Sequence, residues 1–216
     1  FRRVNLDTSY DYVQNAARTQ VQNKESKTTF NLEMNNSDVA KIGYRLDYEL
    51  LPRNFAIARG VTVPRGGYTY RAVDTSYAFG QQRRLAGTVS ATIGSLYNGT
   101  IRSLGISNGY ATFNRHLNFE PGMTLNWVDL PWGSFLNRLV TNRTIVTPTP
   151  RMLISSLMQW NGASHTLSTS VRLNWEYRPS SQLFVVYSDG RTTVGPGWPE
   201  MVNRSFAVKV TRLLRF

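Results

Sequence analysis

The sequence predicts an all-β, antiparallel, up-and-down fold, and three observations lead to this prediction. Apolar and polar residues alternate with a period of two along most of the 216 residues, which places successive side chains on opposite faces of a strand. No segment of useful length has a 3.6-residue period with helix caps. Short polar turns alternate with longer connections, as in a meander of hairpins. Counting strands between these breaks gives about twelve antiparallel strands, all within one domain, residues 1–216.

The elements follow from where the alternation starts and stops. Val4, Leu6, Tyr10 and Tyr12 are apolar at even positions, and polar residues stand between them. Segments 4–12, 29–35, 41–50, 85–93, 166–178 and 205–216 alternate most clearly, and segments 100–113, 134–147 and 182–190 alternate less clearly. Polar and Pro-containing breaks predict short turns at 35–38, 80–82, 147–150 and 179–181. Longer connections are expected at 15–27, 52–66 and 191–202.

Composition excludes several classes of protein. The chain has 25 Lys and Arg against 13 Asp and Glu, a formal net charge of +12, and 41% hydrophobic residues, which is too apolar for a disordered chain. It has no Cys, and this rules out disulfide frameworks, thiolate zinc sites and thiol nucleophiles. No stretch approaches the roughly 18 uninterrupted apolar residues of a membrane helix. A helical membrane protein is therefore excluded.

Aromatic placement favours a barrel that crosses a membrane with strands. Pairs such as Tyr44 and Tyr48, or Trp175 and Tyr177, stand near strand ends on or beside the apolar face, where an aromatic girdle meets the bilayer surface. The last strand resembles the terminal signal by which outer-membrane barrels are recognised for insertion, with Val208, Val210, Leu214 and Phe216 on one face and Arg212 interrupting it. The prediction is a transmembrane β-barrel of the bacterial outer membrane, alone or as part of a larger barrel.

The last third of the chain resembles a known family of bacterial outer-membrane proteins. The resemblance rests on Gln159-Trp160-Asn161, the stretches 172–179 and 183–187 and the ending 208–216, with weaker similarity at 64–68, 83–87 and 128–131. Members carry a carbohydrate-binding, family-nine-like β-sandwich before a C-terminal barrel domain of unknown function. The turn at 179–182 departs from the common family sequence. The resemblance, like the start at Phe1, implies that this chain is the C-terminal part of a longer protein, and it brings no catalytic residues.

Two sets of basic residues are the candidate site residues. Residues on polar strand faces would line the lumen, which we expect to be mixed in charge with a positive bias and therefore to favour anions: Arg3, Lys41, Arg45, Arg71, Arg102, Arg172, Arg178 and Lys209. Residues in or beside the long connections would face the phosphates of lipopolysaccharide, or be merely solvated: Arg18, Lys24, Lys27, Arg53, Arg59, Arg65, Arg191 and Arg204. The expected partners are outer-membrane lipid, lipopolysaccharide, the barrel-insertion machinery and other subunits of an outer-membrane complex, without nucleic acid.

The sequence offers little support for catalysis. His116 and His165 have no second His or Cys at ligand spacing, so no metal or other cofactor is expected. Ser164 directly precedes His165, and adjacent strand residues point to opposite faces, which is poor geometry for an activated nucleophile. The prediction is a solute channel or a membrane anchor for an attached domain or partner complex. Two alternatives stay open: a soluble all-β protein whose basic face binds nucleic acid or acidic glycan, and an outer-membrane hydrolase using His116 or His165.

Overall fold

The computed structural model describes residues 1–195 and 197–213, and all its regular elements there are β-strands. Their bounds are β1 Arg3–Gln14, β2 Val21–Glu33, β3 Val39–Leu51, β4 Phe55–Ala58, β5 Val61–Val63, β6 Gly66–Phe79, β7 Leu85–Leu96, β8 Gly99–Asn114, β9 Leu117–Leu130, β10 Gly133–Thr149, β11 Met152–Asn161, β12 Thr166–Arg178, β13 Ser181–Thr192 and β14 Glu200–Thr211. None of the described residues belongs to a helix able to span a bilayer.

Twelve of these strands form one antiparallel sheet in sequence order. The order is β1-β2-β3-β6-β7-β8-β9-β10-β11-β12-β13-β14, and β4 and β5 pair separately. The all-β, up-and-down prediction and the count of about twelve strands are confirmed. Consecutive strands pair because each connection is short enough to bring a strand back beside its predecessor.

The chain divides into two compact units. Unit 1 comprises Phe1–Arg83, Gly87–Ser107 and Thr124–Asn137, and unit 2 comprises Arg84–Ala86, Asn108–Met123 and Arg138–Phe216. The single-domain assignment stays a prediction.

Two of the three long connections differ from their predicted extents because strand pairing extends further than the apolar pattern. β2 begins at Val21, so the first connection is only 15–20, and β13 and β14 reduce the last connection to 193–199. The predicted turn at 147–150 lies partly inside β10, which runs to Thr149.

The connection between β3 and β6 folds into a hairpin of its own. Val63 in β5 is fully buried, at 0% exposure, and packs in a cluster with Val61, Tyr68 and Val128. Gly133 has a positive φ of 138°, and a side chain there would meet Val61, since a Cβ would lie 3.0 Å from its Cγ2. The hairpin is therefore a packed element of unit 1.

A buried carboxylate organises the turn between β2 and β3. Asp38 is 2% exposed and accepts hydrogen bonds from the Gly80 backbone N–H and the Tyr77 hydroxyl, each at 2.7 Å, and from Arg83 at 2.9 Å. The Gly80 N–H, with the Tyr77 and Arg83 donors, holds the pKa of Asp38 below its ordinary value. This carboxylate joins the β2–β3 turn to the residues that follow β6.

Candidate functional site: the two faces of the sheet

The apolar face of unit 1 is exposed. Register places Leu6, Phe30 and Ile42 side by side on β1, β2 and β3. The next level, meaning the next row of paired residues on the same face, carries Tyr44, Val73 and Ile93 on β3, β6 and β7. These side chains are open to the surroundings, with Leu6 68% and Ile93 65% exposed. Since a water-soluble sheet normally buries its apolar face, this arrangement is inverted.

Aromatic and basic side chains mark one margin of this face. Lys24 on β2 lies between Tyr12 on β1 and Tyr48 on β3, its Nζ 5.6 Å and 5.9 Å from the two ring centroids. Arg71 stands opposite Leu46, at the next level on the same face. A cation between tyrosine rings at the edge of an apolar band is typical of a side chain that reaches from hydrocarbon to the headgroup layer.

The apolar face of unit 2 has the same organisation. Val185 pairs with Leu173 and Val208, and Tyr187 pairs with Val171 and with Phe206, which is 68% exposed. At the margin of this face the buried carboxylate of Asp189 forms an ion pair with Arg191 at 2.8 Å, and Arg204 stands opposite Asp189 on β14. Here too basic side chains border the apolar band.

The polar face of unit 1 carries charges in alternating levels. Asp11, Glu25 and Asp47 stand at one level, Lys27 and Arg45 at the next, Asp7 and Asp74 at a third and Lys41 at a fourth. Including Arg3 with Glu33 and the more distal Glu49, strands β1, β2, β3 and β6 present four basic and seven acidic side chains on this face. On these four strands the charge balance is opposite to the expected positive bias, and the bias of the lumen as a whole stays a prediction.

Two residues predicted to line the lumen lie on the other face. Arg71 shares the apolar face with Val73, and Arg102 shares the exposed side of β8 with Leu104 and Ile106. Strand parity puts them there, and both stand near the end of an otherwise apolar strand face. Arg3, Lys41 and Arg45 do lie on the polar face of unit 1.

The polar face of unit 2 carries both basic and acidic side chains. Arg172 and Lys209 lie on this face, where Arg172 pairs with Val186 and Ser155 and Lys209 pairs with Phe184, whereas Arg178 lies beyond a register shift in β12 and pairs with Ser181. Nη1 of Arg143 on β10 lies 3.8 Å from Oε2 of Glu120 on β9. The placement of Arg172 and Lys209 agrees with the sequence pattern, and the role of all three predicted residues as lumen lining stays a prediction.

The predicted lipopolysaccharide-facing residues fall in three places. Arg18 lies in the 15–20 connection and Arg53, Arg59 and Arg65 are exposed in the connection that holds β4 and β5, as expected. Lys24 and Lys27 were expected in a connection but lie in β2, on the apolar and the polar face respectively, because pairing with β1 continues to Val21. Arg191 and Arg204 lie within β13 and β14.

Of the insertion signal, Val208 and Val210 share the apolar face, and Leu214 and Phe216 lie outside the described residues.

The histidines are engaged in turns. His116 accepts a hydrogen bond from Arg115 Nε at its Nε2, 2.9 Å away, so its Nδ1 donates to the Thr147 carbonyl at 2.7 Å. His165 has a positive φ of 51° in the turn after β11. Among the described residues neither histidine ring is hydrogen-bonded to a serine or threonine hydroxyl, and those residues hold no group of three metal-ligating side chains.

Comparison with known proteins gives one distant likeness. No protein-family model and no curated protein matches the chain. A solved structure described as the NanC porin in a rhombohedral crystal form aligns with a TM-score of 0.36 and 12% identity, over 89% of this chain and 94% of that one. The resemblance of the last third to the outer-membrane family stays a prediction.

Proposed function

We propose that this chain is an outer-membrane β-barrel whose apolar faces meet lipid and whose polar faces border a path for small solutes. The observation that carries the proposal is the exposed apolar face of paired strands, Leu6, Phe30 and Ile42 in unit 1 and Val208 and Phe206 in unit 2. Strands can cross a bilayer only when every backbone group is paired, so the twelve-strand meander would close into a barrel.

The dimensions of the apolar band support this function. On β1 the apolar positions run from Val4 to Tyr12, a length of about 27 Å at the usual rise per residue. With the tilt of about 40° that barrel strands adopt, this spans about 21 Å, near the apolar height of an outer-membrane barrel. The Tyr12, Lys24 and Tyr48 cluster stands at the margin, where lipid headgroup phosphates would lie.

A soluble binding protein with a basic face explains the molecule less well. It would leave residues such as Ile93 and Phe206 in water, at a cost proportional to their apolar area. It would also need a continuous basic face, whereas acidic side chains outnumber basic ones on the polar face of unit 1.

Single-cysteine labelling tests the proposal directly, because the chain has no Cys of its own. In outer membranes, Ile42→Cys should react poorly with a water-soluble maleimide, and its neighbour Lys41→Cys should react readily. The two positions are adjacent on β3 and point to opposite faces, so each is the control for the other. Equal, rapid reaction at both positions would contradict a lipid-facing wall.

Conduction is tested by reconstitution into a planar bilayer. Discrete current steps are expected, with weak selectivity in a salt gradient, because the polar faces mix acidic and basic groups. A silent bilayer with insertion confirmed would contradict the channel and leave the anchoring role for an attached domain or partner complex. Contacts with lipopolysaccharide through Arg18, Arg53, Arg59 and Arg65, and with the insertion machinery through Val208 and Val210, belong to the same proposal.

A further inference from the structure

A polar cleft of about 530 Å³ lies on the polar face of strands β1, β2, β3, β6 and β7. All its lining residues belong to unit 1. The volume is within the range of small-molecule sites. At its centre is Gly43, which has Thr29 and Asp74 directly opposite on the neighbouring strands. A Cβ on Gly43 would lie 3.3 Å from Thr29 Oγ1, so the missing side chain keeps the floor of the cleft open.

Opposite charges flank this floor. Asp7 and Asp74 stand at the level of Gly43, on β1 and β6, and Lys27 and Lys41 stand at the levels on either side of it. Asp7 accepts a hydrogen bond from Asn31, and Asp74 accepts one from Thr92 at 2.7 Å. These neutral donors orient the carboxylates without neutralising them.

The positive charges of the two cleft lysines have no ion-pair partner in the part of the chain that the structure describes. Among the described residues, neither Lys27 nor Lys41 has a carboxylate oxygen within 4.0 Å. Lys27 stands directly opposite Arg45, and like charges in that position repel each other. Arg45 is paired with Asp47 at 3.0 Å, so Lys27 is left without an anion. An anionic group entering the cleft would relieve this repulsion.

We propose that this cleft binds a small zwitterion that carries a hydroxyl group, a deepening that rests on the polar face being open to solutes as in the proposed function. The ligand's carboxylate would contact Lys27 and Lys41, and its ammonium would contact Asp7 or Asp74. Hydroxyl-bearing residues of the cleft, including Ser9 and Ser90, would bond the ligand's hydroxyl. With two lysines and two carboxylates, the cleft matches a dipolar ligand better than an ion of one sign.

Calorimetric titration of the folded protein in detergent tests this with four matched probes. Serine carries all three groups, lactate lacks the ammonium, ethanolamine lacks the carboxylate, and glycerol lacks both charges. Serine should bind, and the other three should bind at least about tenfold more weakly, since each lost charge-assisted hydrogen bond is worth about this factor. Equal binding of lactate would make the cleft a plain anion site and overturn the proposal, as would a complete lack of serine binding.

Variants locate the binding. Lys27→Met and Lys41→Met should each weaken serine binding about tenfold. Lys24→Met, a neighbour of Lys27 in β2 on the apolar face, should leave it unchanged. Equal weakening by all three would contradict a site in this cleft.

The titration separates this inference from the proposed function. Binding in detergent requires neither a bilayer nor conduction. Serine binding together with a silent bilayer would support the ligand site and contradict the channel. Conduction without serine binding would support the channel and contradict the ligand site.

Discussion

At the residue scale, Asp38 is the clearest case of one side chain holding two parts of the chain together. Its pKa is lowered by the Gly80 N–H and the Tyr77 and Arg83 donors, so its stabilising effect is complete above the ordinary pKa of 3.8 and is lost as the pH falls through the lower folded-state value. Asp38→Asn should therefore lower Tm by several degrees at neutral pH and flatten the loss of Tm below pH 3.8. Thermal unfolding followed by circular dichroism from pH 7 to pH 2 measures both effects. Asp11→Asn, an exposed carboxyl in β1, is the control, and a parallel pH profile for Asp38→Asn and the unaltered chain would contradict the assignment.

A second prediction at this scale concerns Val73, in the middle of the exposed apolar face of unit 1. If the proposed barrel is right, Val73→Arg should destabilise the protein in lipid by about 2–4 kcal/mol, because a charge on a lipid-facing strand near the bilayer centre loses its hydration. Ser90→Arg, on the polar face of β7, should cost much less. Urea unfolding in lipid vesicles gives both free energies. Comparable costs at the two positions would mean that the face of Val73 does not meet lipid.

At the scale of elements, the β4–β5 hairpin carries a fully buried side chain, Val63. Val63→Ala should cost about 1–3 kcal/mol through lost burial and the cavity left behind, and should loosen the hairpin. Trypsin, which cleaves after Arg53, Arg59 and Arg65 in this connection, should then cut it faster. Phe55→Ala is a matched control, because Phe55 pairs with Val63 but is exposed. Digestion rates that rise equally in both variants would contradict a role for the buried side in holding the hairpin.

The elements also show how far the sequence alone could lead. Period-two alternation predicted the strands and their apolar faces because side-chain direction in a strand depends only on parity. It could not locate the start of β2, where Asn23, Lys24 and Glu25 are polar on both faces and only pairing with β1 makes them strand. It also missed the packing of β4 and β5, since Val61 and Val63 acquire their contacts from Tyr68 and Val128, far away in sequence. Arg71 and Arg102 lie on the apolar face by parity, although their charge alone favours the polar face.

At the scale of the whole molecule, the order of the twelve strands makes β1 and β14 the terminal strands of the sheet. In lipid an unpaired strand edge costs several kcal/mol for each exposed backbone group, so the proposed membrane barrel requires a closed wall. We expect the chain to behave as a closed barrel, resisting SDS at room temperature and migrating differently after boiling. The matched comparison is the Val73→Arg variant, whose electrophoretic migration should change at a lower heating temperature than that of the unaltered chain. The migration of Lys27→Met should change at the same temperature as that of the unaltered chain. Identical migration before and after boiling, for protein extracted from membranes, would contradict a closed barrel.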